Sequence, residues 1–261
     1  MSDVINARVY CEIKDSIAHL FFDHPQARNA MTQVMYEQLR TICLDLAQDP
    51  SVRVAILRGI GGKSFVSGSD IAQFQSFQGG ADGVHYEGMI DHYLGPLQQL
   101  PIPTIAVVDG LAVGGGLAIA ALCDFRIATP TAKFGVPIAR TLGNTLSPSN
   151  IAWLTAHLGV AIVKRMLLLA ELISAQELVT QGFVYKTGES EDLNGMSMDL
   201  AKQLAALAPI TQKASKLIMA RVIGHSLPNC DDLISEVYGS ADFKEGVTAF
   251  LGGRPPQWQG K

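Results

Sequence analysis

The sequence contains few charged residues and no strong excess of either sign. Charged side chains make up 17% of the 261 residues, and 20 Lys and Arg stand against 24 Asp and Glu, for a net charge of -4. The basic residues are scattered along the chain, so the sequence lacks the broad positive surface that attracts a phosphate backbone. We therefore expect no nucleic-acid partner.

Cysteine is scarce, and long hydrophobic runs are missing. The four cysteines form no C-x-x-C pair and have no metal-ligand spacing, which favours reduced structural thiols and no metal site. No stretch of 18 apolar residues occurs, and the amino terminus has no basic segment followed by an apolar run. The sequence thus predicts a cytoplasmic protein with no membrane partner.

Several common functional signatures are incomplete. Gly62-Lys63-Ser64 would end a phosphate-binding loop, but Leu57 stands where that loop needs its first glycine. Neither Gly59-Ile60-Gly61 nor Gly114-Gly115-Gly116 completes G-x-G-x-x-G, and neither G-x-S-x-G nor H-E-x-x-H occurs. These gaps argue against a dinucleotide site and against the corresponding hydrolase and zinc-protease chemistry.

Apolar residues are abundant, at 48% of the chain, so a large core and a buried oligomer surface are both possible. The patterning predicts a β-hairpin over residues 8–22, a helix over 32–48 capped by Thr32, and strands over 52–60, 104–108 and 125–128. After about residue 146 the pattern turns helical. The predicted helices are 151–170, 175–181, 193–207, 210–223 and 231–251. The result is an α/β protein with a helical carboxyl-terminal part.

Seven motifs follow one another along nearly the whole chain. They are D-H-P-Q-A-R-N-A-M (23–31), K-S-F-V-S-G-S-D-I (63–71), P-T-I-A-V-V-D-G-L-A-V-G-G-G (103–116), C-D-F-R (123–126), A-K-F-G-V-P (132–137), I-S-A-Q-E-L-V-T-Q-G-F-V (173–184) and F-K-E-G-V-T-A-F-L (243–251). In this order they resemble the motifs of the crotonase (enoyl-CoA hydratase/isomerase) family. A single motif of this kind would be weak, whereas seven in order are specific.

The resemblance implies an α/β fold, a crotonase-like ββα spiral of two roughly perpendicular sheets followed by a helical trimerisation region. Residues 1–195 would form the acyl-CoA-binding core, and residues 196–261 the carboxyl-terminal helical segment. The implied assembly is a homo-trimer or a dimer of trimers. The implied partner is an acyl-CoA thioester, with CoA as part of the substrate and no separate cofactor. Asp124 and Arg126 are expected to form a structural pair.

The resemblance also implies where the thioester binds. The family holds the carbonyl oxygen with two backbone N–H groups, which correspond here to Ser67 and Gly115; such donors stabilise the negative charge that develops on oxygen in the transition state. The CoA moiety would run along Arg28, Ala30, Ser69, Asp70 and Ile71. Arg28 would contact a phosphate or be an ordinary surface arginine, and Asp70 has the alternative role of capping a helix that begins near Ile71.

Two glutamates that the family's hydratases use as acid and base correspond here to Ala118 and Ile138. Neither side chain can move a proton, so both are expected only to line the acyl pocket, and a non-standard proton carrier is needed. Glu87 and His85, in the segment 73–100 that would cover the pocket, are candidates for it. Asn144 is a candidate orienting group, and Arg140 would receive an anionic acyl group.

Three functional hypotheses follow. The first is an active acyl-CoA enzyme of the enoyl-CoA hydratase/isomerase type that stabilises a thioester enolate. The alternative is a catalytically retired CoA-thioester-binding protein, which the apolar residues Ala118 and Ile138 motivate. An RNA-binding or scaffolding role is disfavoured because the chain is acidic and has no basic face.

Overall fold

A computed structural model describes residues 7–261. Strands β1 (Arg8–Lys14) and β2 (Ile17–Asp23) pair antiparallel and confirm the predicted hairpin. The two residues between them, Asp15 and Ser16, both have positive φ values of 51° and 63°. This left-handed conformation reverses the chain within two residues, as a tight hairpin requires.

Ten strands form two sheets. After the hairpin come β3 (Val54–Gly59), β4 (Ser64–Val66), β5 (Thr104–Val108), β6 (Leu111–Val113), β7 (Phe125–Ala128), β8 (Lys133–Gly135), β9 (Ile173–Ser174) and β10 (Lys186–Thr187). One sheet has the order β1-β2-β3-β5-β7-β10, and the other has the order β4-β6-β8-β9. The chain crosses from the first sheet to the second at three successive points, from β3 to β4, from β5 to β6 and from β7 to β8. This alternation is the ββα spiral predicted from the sequence.

Ten helices accompany the strands in the described part of the chain. They are α1 (Gln33–Gln48), α2 (Gly80–Gln98), α3 (Gly115–Leu122), α4 (Ile138–Thr141), α5 (Pro148–Leu168), α6 (Ala175–Thr180), α7 (Leu193–Ala205), α8 (Pro209–Ile223), α9 (Asp231–Gly239) and α10 (Ala241–Leu251). The cap on α1 is confirmed, since the Thr32 side chain accepts a hydrogen bond from the Met35 N–H. The single helix predicted over 231–251 is wrong. Ser240 is extended there, and its side chain caps α10 by accepting from the Phe243 N–H at 3.0 Å.

Helix α5 is the one helix within residues 7–261 that is long and apolar enough to cross a membrane. Its regular conformation is interrupted at Gly159, where φ is 73° and ψ is 154°. Trp153, Leu154 and Leu158 on this helix are buried within the main core cluster. Packing inside the protein thus covers one side of this helix, while Val160 and Leu168 remain 55% and 72% exposed.

The carboxyl-terminal helices are integral to the packing of the molecule. Helix α7 covers one face of the six-stranded sheet, where Leu200 and Leu204 contact a cluster that includes Ile56 and Ile105. Helix α9 packs against α2, and α10 packs against α4 and a 3-10 turn at Ile71–Ser76. The expected boundary between residues 195 and 196 lies within α7, near its beginning at Leu193.

Asp124 and Arg126 do not pair with each other through their side chains. The buried Arg126 guanidinium donates to four backbone carbonyl oxygens, among them that of Asp124. The Asp124 carboxylate instead accepts from Lys216 Nζ of α8 at 2.7 Å. The predicted pairing of the two side chains is therefore wrong, because Arg126 binds backbone carbonyls and Asp124 binds Lys216.

Candidate active site

A cavity of about 540 Å³ opens where the two sheets meet the helices. Its walls are formed by α1, α2, α3, α4 and α10, together with the loops that follow β2, β4 and β6. Most of the surface is apolar, and the large apolar lining residues are Phe74, Ile90, Leu142, Leu146, Phe250 and Leu251. Such a chamber suits an apolar group whose orientation is set by a few polar contacts.

The cavity brings together most of the residues that the sequence pointed to. Those on its wall are Arg28, Ala30, Ser67, Ser69, Asp70, Ile71, Glu87, Gly115, Ala118, Ile138 and Asn144. They come from six separate stretches of the chain between positions 28 and 144. The fold therefore gathers them into one site.

Two predicted residues lie elsewhere. His85 and Glu87 are two positions apart on α2, so their side chains point about 200° apart around the helix. Because Glu87 faces the cavity, His85 is exposed on the outer face. Arg140 is likewise exposed, since Ile138 and Thr141 occupy the inward face of α4. The structure places neither His85 nor Arg140 against the cavity.

Ser67 and Gly115 lie side by side because β4 and β6 are adjacent parallel strands. Ser67 follows β4, and Gly115 begins α3 shortly after β6. The first N–H groups of a helix have no acceptor within the helix. Within residues 7–261 neither the Ser67 N–H nor the Gly115 N–H donates a hydrogen bond. Two unpartnered donors thus border the cavity.

The glycine triplet is required by close packing. A Cβ atom at position 116 would overlap the carbonyl oxygen of Val66 in β4, and a Cβ atom at position 115 would overlap the hydroxyl of Tyr36 in α1. Gly114 has φ 54° and ψ -120°, a conformation that side chains rarely adopt. Glycine at these positions therefore lets helix α3 begin close against β4 and the Tyr36 hydroxyl.

Glu87 is the one acidic side chain buried deep in the cavity wall in the described structure, at 3% exposure. Its Oε1 accepts from the Tyr238 hydroxyl at 2.6 Å, and its Oε2 accepts from the Ser147 N–H at 2.8 Å. Burial raises the pKa of Glu87 to about 7, while these two hydrogen bonds act in the opposite direction. The carboxyl group can thus accept and release a proton near neutral pH.

Asn144 acts on this carboxyl through Tyr238. Its Nδ2 donates to the Tyr238 hydroxyl at 3.2 Å, and that hydroxyl donates its own hydrogen to Glu87. Nearby, Ser147 Oγ donates to Asp91 at 2.8 Å, and burial raises the pKa of Asp91. The carboxyl groups of Glu87 and Asp91, both on α2, are therefore held by Ser147 in the loop before α5. Tyr238 in α9 also holds Glu87.

The sequence did not predict that three hydroxyl groups on the cavity wall are hydrogen-bonded to one another. The Tyr86 hydroxyl donates to Ser69 Oγ at 2.7 Å, and Ser69 Oγ is 2.9 Å from the Tyr36 hydroxyl. The sequence pointed to Ser69 only as a contact for CoA. Tyr36 occupies a core-like position in an amphipathic helix, and Tyr238 lies in a segment expected to trimerise. No local pattern distinguishes such tyrosines from ordinary core residues.

The rim of the cavity carries the predicted CoA contacts. Arg28 is exposed there and is the only basic residue on the cavity wall in the described structure. Asp70 caps the 3-10 turn by accepting from the Ala72 N–H at 3.0 Å, which confirms its capping role. The loops carrying both residues are joined through a bridge between Met31 and Ser69.

Known proteins match nearly the whole chain in sequence and in structure. The sequence profile of a family described as enoyl-CoA hydratase/isomerase matches residues 12–261. An (E)-benzylidenesuccinyl-CoA hydratase of Thauera aromatica is 31% identical, over 97% of this chain and 99% of its own. A short-chain-enoyl-CoA hydratase of Clostridium acetobutylicum is 30% identical, with 93% and 94% covered. A crystal structure of methylmalonyl-CoA decarboxylase complexed with 2S-carboxypropyl CoA has a TM-score of 0.88 at 28% identity, and 100% of each chain is covered.

Proposed function

Since the chain belongs to the enoyl-CoA hydratase/isomerase family, we propose that its cavity binds an acyl-CoA thioester and that the protein moves a proton at the carbon beside the thioester carbonyl. One observation carries the proposal: the same cavity holds two unpartnered backbone N–H groups and a buried carboxyl with a pKa of about 7. The two N–H groups would hold an oxyanion. The carboxyl would carry the proton.

The N–H groups of Ser67 and Gly115 would donate to the thioester oxygen. Removal of a proton from the neighbouring carbon converts the thioester into an enolate and moves negative charge onto this oxygen. Donors fixed in advance stabilise that charge more than the neutral carbonyl, and each is typically worth about 100- to 1000-fold in rate. Gly115 also begins α3, whose positive end favours an anion.

Glu87 would be the proton carrier. As a carboxylate it would take the proton from the carbon next to the carbonyl, and as a carboxylic acid it would return it to that carbon or to one farther along a conjugated enolate. Its pKa of about 7 makes both forms available at neutral pH. Ala118 and Ile138 would form the apolar walls of the acyl pocket. A carboxyl from α2 would thus replace acids that those positions lack.

The CoA moiety would lie along Arg28, Ala30, Ser69, Asp70 and Ile71 at the rim, with Arg28 contacting a phosphate. CoA would enter as part of the substrate and not as a separate cofactor. Because the acyl end of the cavity is apolar and holds the acidic Glu87, it suits a neutral acyl group. Arg140, the candidate for an anionic acyl group, lies outside.

Exchange of deuterium into butyryl-CoA tests the chemistry without assuming one final product. In D2O, enolate formation replaces hydrogen with deuterium at the carbon next to the carbonyl, which mass spectrometry detects. Glu87→Gln should abolish exchange and keep binding measurable by calorimetry. His85→Gln, on the outer face of the same helix, should exchange as the wild type does.

Two outcomes would redirect the proposal. Binding of butyryl-CoA without exchange in the wild type would support the retired binding protein that Ala118 and Ile138 suggest. Exchange that survives in Glu87→Gln would assign the proton to another group. If exchange requires Glu87, assays with 2-enoyl-CoA and 3-enoyl-CoA substrates would separate hydration from isomerisation.

The exposed face of α8 would form the interface of a homo-trimer, or of a dimer of trimers. Ile218, Met219 and Val222 are 60%, 57% and 72% exposed in the single chain. Three large apolar side chains on neighbouring faces of one helix are typical of a surface that a second subunit covers.

We further propose that the protein works in the cytoplasm, in line with its lack of paired cysteines in residues 7–261.

A further inference from the structure

Three hydroxyl groups form a continuous chain along the cavity wall. The Tyr86 hydroxyl donates to Ser69 Oγ at 2.7 Å, and Ser69 Oγ and the Tyr36 hydroxyl are 2.9 Å apart. All three residues line the cavity. No other hydrogen bond involves any of these hydroxyls within residues 7–261. The three hydroxyls therefore form hydrogen bonds only with one another in the described part of the protein.

This chain of hydroxyls contains one more hydroxyl hydrogen than its two hydrogen bonds use. Three hydroxyls carry three hydrogens, but two contacts between three oxygens use only two of them. The Tyr86 hydrogen is used at Ser69. Whichever of Ser69 and Tyr36 donates to the other, one hydroxyl hydrogen has no acceptor in the described structure. Because all three residues line the cavity, a ligand that enters the cavity is placed to accept this hydrogen.

The position of the chain indicates where the spare hydrogen is used. The Tyr36 hydroxyl lies against Gly115 so closely that a Cβ atom at that position would overlap it, while Ser69 Oγ would be 3.6 Å from that Cβ atom. The unpartnered Gly115 N–H is on the same residue. The Tyr36 hydroxyl thus lies closer than Ser69 Oγ to the Cβ position of Gly115, the residue whose N–H is unpartnered.

We propose that the Tyr36 hydroxyl is a third hydrogen-bond donor to the thioester oxygen, with the hydroxyl hydrogens oriented from Tyr86 through Ser69 to Tyr36. The inference rests on the proposed acyl-CoA function. Burial raises the pKa of Tyr36 to about 12, so the hydroxyl keeps its hydrogen at neutral pH. Each hydroxyl that donates also polarises the next, which strengthens the last donor of the chain. Charge on the enolate oxygen would then be shared among two N–H groups and one O–H group.

Infrared spectroscopy of bound butyryl-CoA, labelled with ¹³C at the carbonyl, tests this assignment. Donors to the oxygen lower the carbonyl stretching frequency relative to free butyryl-CoA. In Tyr36→Phe the frequency should move back towards the free value, and deuterium exchange should slow by about 100-fold with little change in affinity. Ser69→Ala should give a smaller change in the same direction, because Tyr36 can still donate without its neighbour.

Tyr93→Phe is the matched control. Tyr93 is also largely buried and stacks on Tyr36 with ring centroids 5.8 Å apart, but its hydroxyl accepts from Gln33 and does not line the cavity. It should leave the frequency and the exchange rate unchanged.

The outcomes separate this inference from the proposed function. If the wild type shows no shift on binding, or does not bind, the oxyanion site itself is refuted. If the wild type shows the shift and Tyr36→Phe retains all of it, only the third donor is refuted. A larger effect of Ser69→Ala than of Tyr36→Phe would overturn the assignment of the donor to Tyr36.

Discussion

The Tyr238 hydroxyl donates a 2.6 Å hydrogen bond to the Glu87 carboxylate across 151 residues of sequence. Tyr238 belongs to α9 near the carboxyl terminus, and Glu87 belongs to α2, which covers the cavity. Asn144 adds a hydrogen bond to the same hydroxyl. The carboxyl-terminal helices therefore help to hold the proposed proton carrier in place, and they do so within a single chain.

Replacing Tyr238 should change the acidity of Glu87. The hydrogen bond from Tyr238 favours the carboxylate, so its loss in Tyr238→Phe raises the pKa of Glu87 above its value of about 7. Since exchange requires the carboxylate, the pH profile of deuterium exchange should move to higher pH by about one unit. Tyr185→Phe, at an exposed tyrosine, should leave the profile in place. An unchanged profile in Tyr238→Phe would mean that Glu87 does not limit exchange.

Glu87 should also make stability depend on pH. Its pKa in the native state lies near 7, above the ordinary value of 4.5, so the native protein holds a proton that the unfolded chain has released. The free energy of unfolding therefore falls as pH rises from about 4.5 to about 7, by an amount on the order of 3 kcal/mol, and levels off above that. Glu87→Gln has no ionisable group at this position, so its free energy of unfolding should not fall in this way. Urea unfolding at pH 5 and pH 8 should show a smaller difference in the variant than in the wild type, and equal differences would contradict the raised pKa.

Gly115 and Tyr36 should be coupled in a double-mutant cycle. Gly115→Ala places a Cβ atom on the Tyr36 hydroxyl and should destabilise the protein by about 1–3 kcal/mol. In Tyr36→Phe the overlapping atom is gone, and the ring carbon Cζ would lie at an ordinary 3.6 Å. The cost of Gly115→Ala should then fall by at least about 1 kcal/mol. Additive effects in thermal or urea unfolding would show that the two sites do not touch as described.

Arg126 should be needed for folding and not for chemistry. Its guanidinium donates to four backbone carbonyls at 4% exposure, so Arg126→Met leaves buried acceptors without partners. We expect a loss of about 3 kcal/mol or more in the free energy of unfolding. Arg40→Met, which removes a pair with Glu37 on the surface of α1, should cost well under 1 kcal/mol. Comparable costs in urea unfolding would argue against this role for Arg126.

An acidic substitution on α8 should reduce the size of the assembly. Val222 is 72% exposed in the single chain, and the proposed trimer would bury it. Light scattering should give a trimer or a hexamer for the wild type and a smaller species for Val222→Asp, because a buried unpaired carboxylate is costly. Val34→Asp, at a 60% exposed valine of α1, is the comparison. A monomeric wild type would refute the assembly.

Patterns in the sequence predicted the local architecture and the two backbone N–H groups proposed for the candidate site. Alternation and helical spacing placed the hairpin, α1 with its Thr32 cap and the strand β5, because these patterns act over a few residues. Ser67 and Gly115 could be located from motifs alone, since every non-proline residue carries a backbone N–H and only its position in the chain matters. The single helix over 231–251 failed at Ser240, whose local capping chemistry outweighed the continuous apolar pattern.

Which side chains reach the cavity depends on how distant segments pack together. His85 and Glu87 are equivalent candidates in sequence, and the rotation of α2 against the core turns one outward and the other inward. The pKa of Glu87 depends on burial and on donors from α9 and the 143–147 loop, which no local window contains. Tyr36, Ser69 and Tyr86 meet because α1, α2 and the loop after β4 converge beside Gly115. Such contacts between distant segments form only when the whole chain is packed.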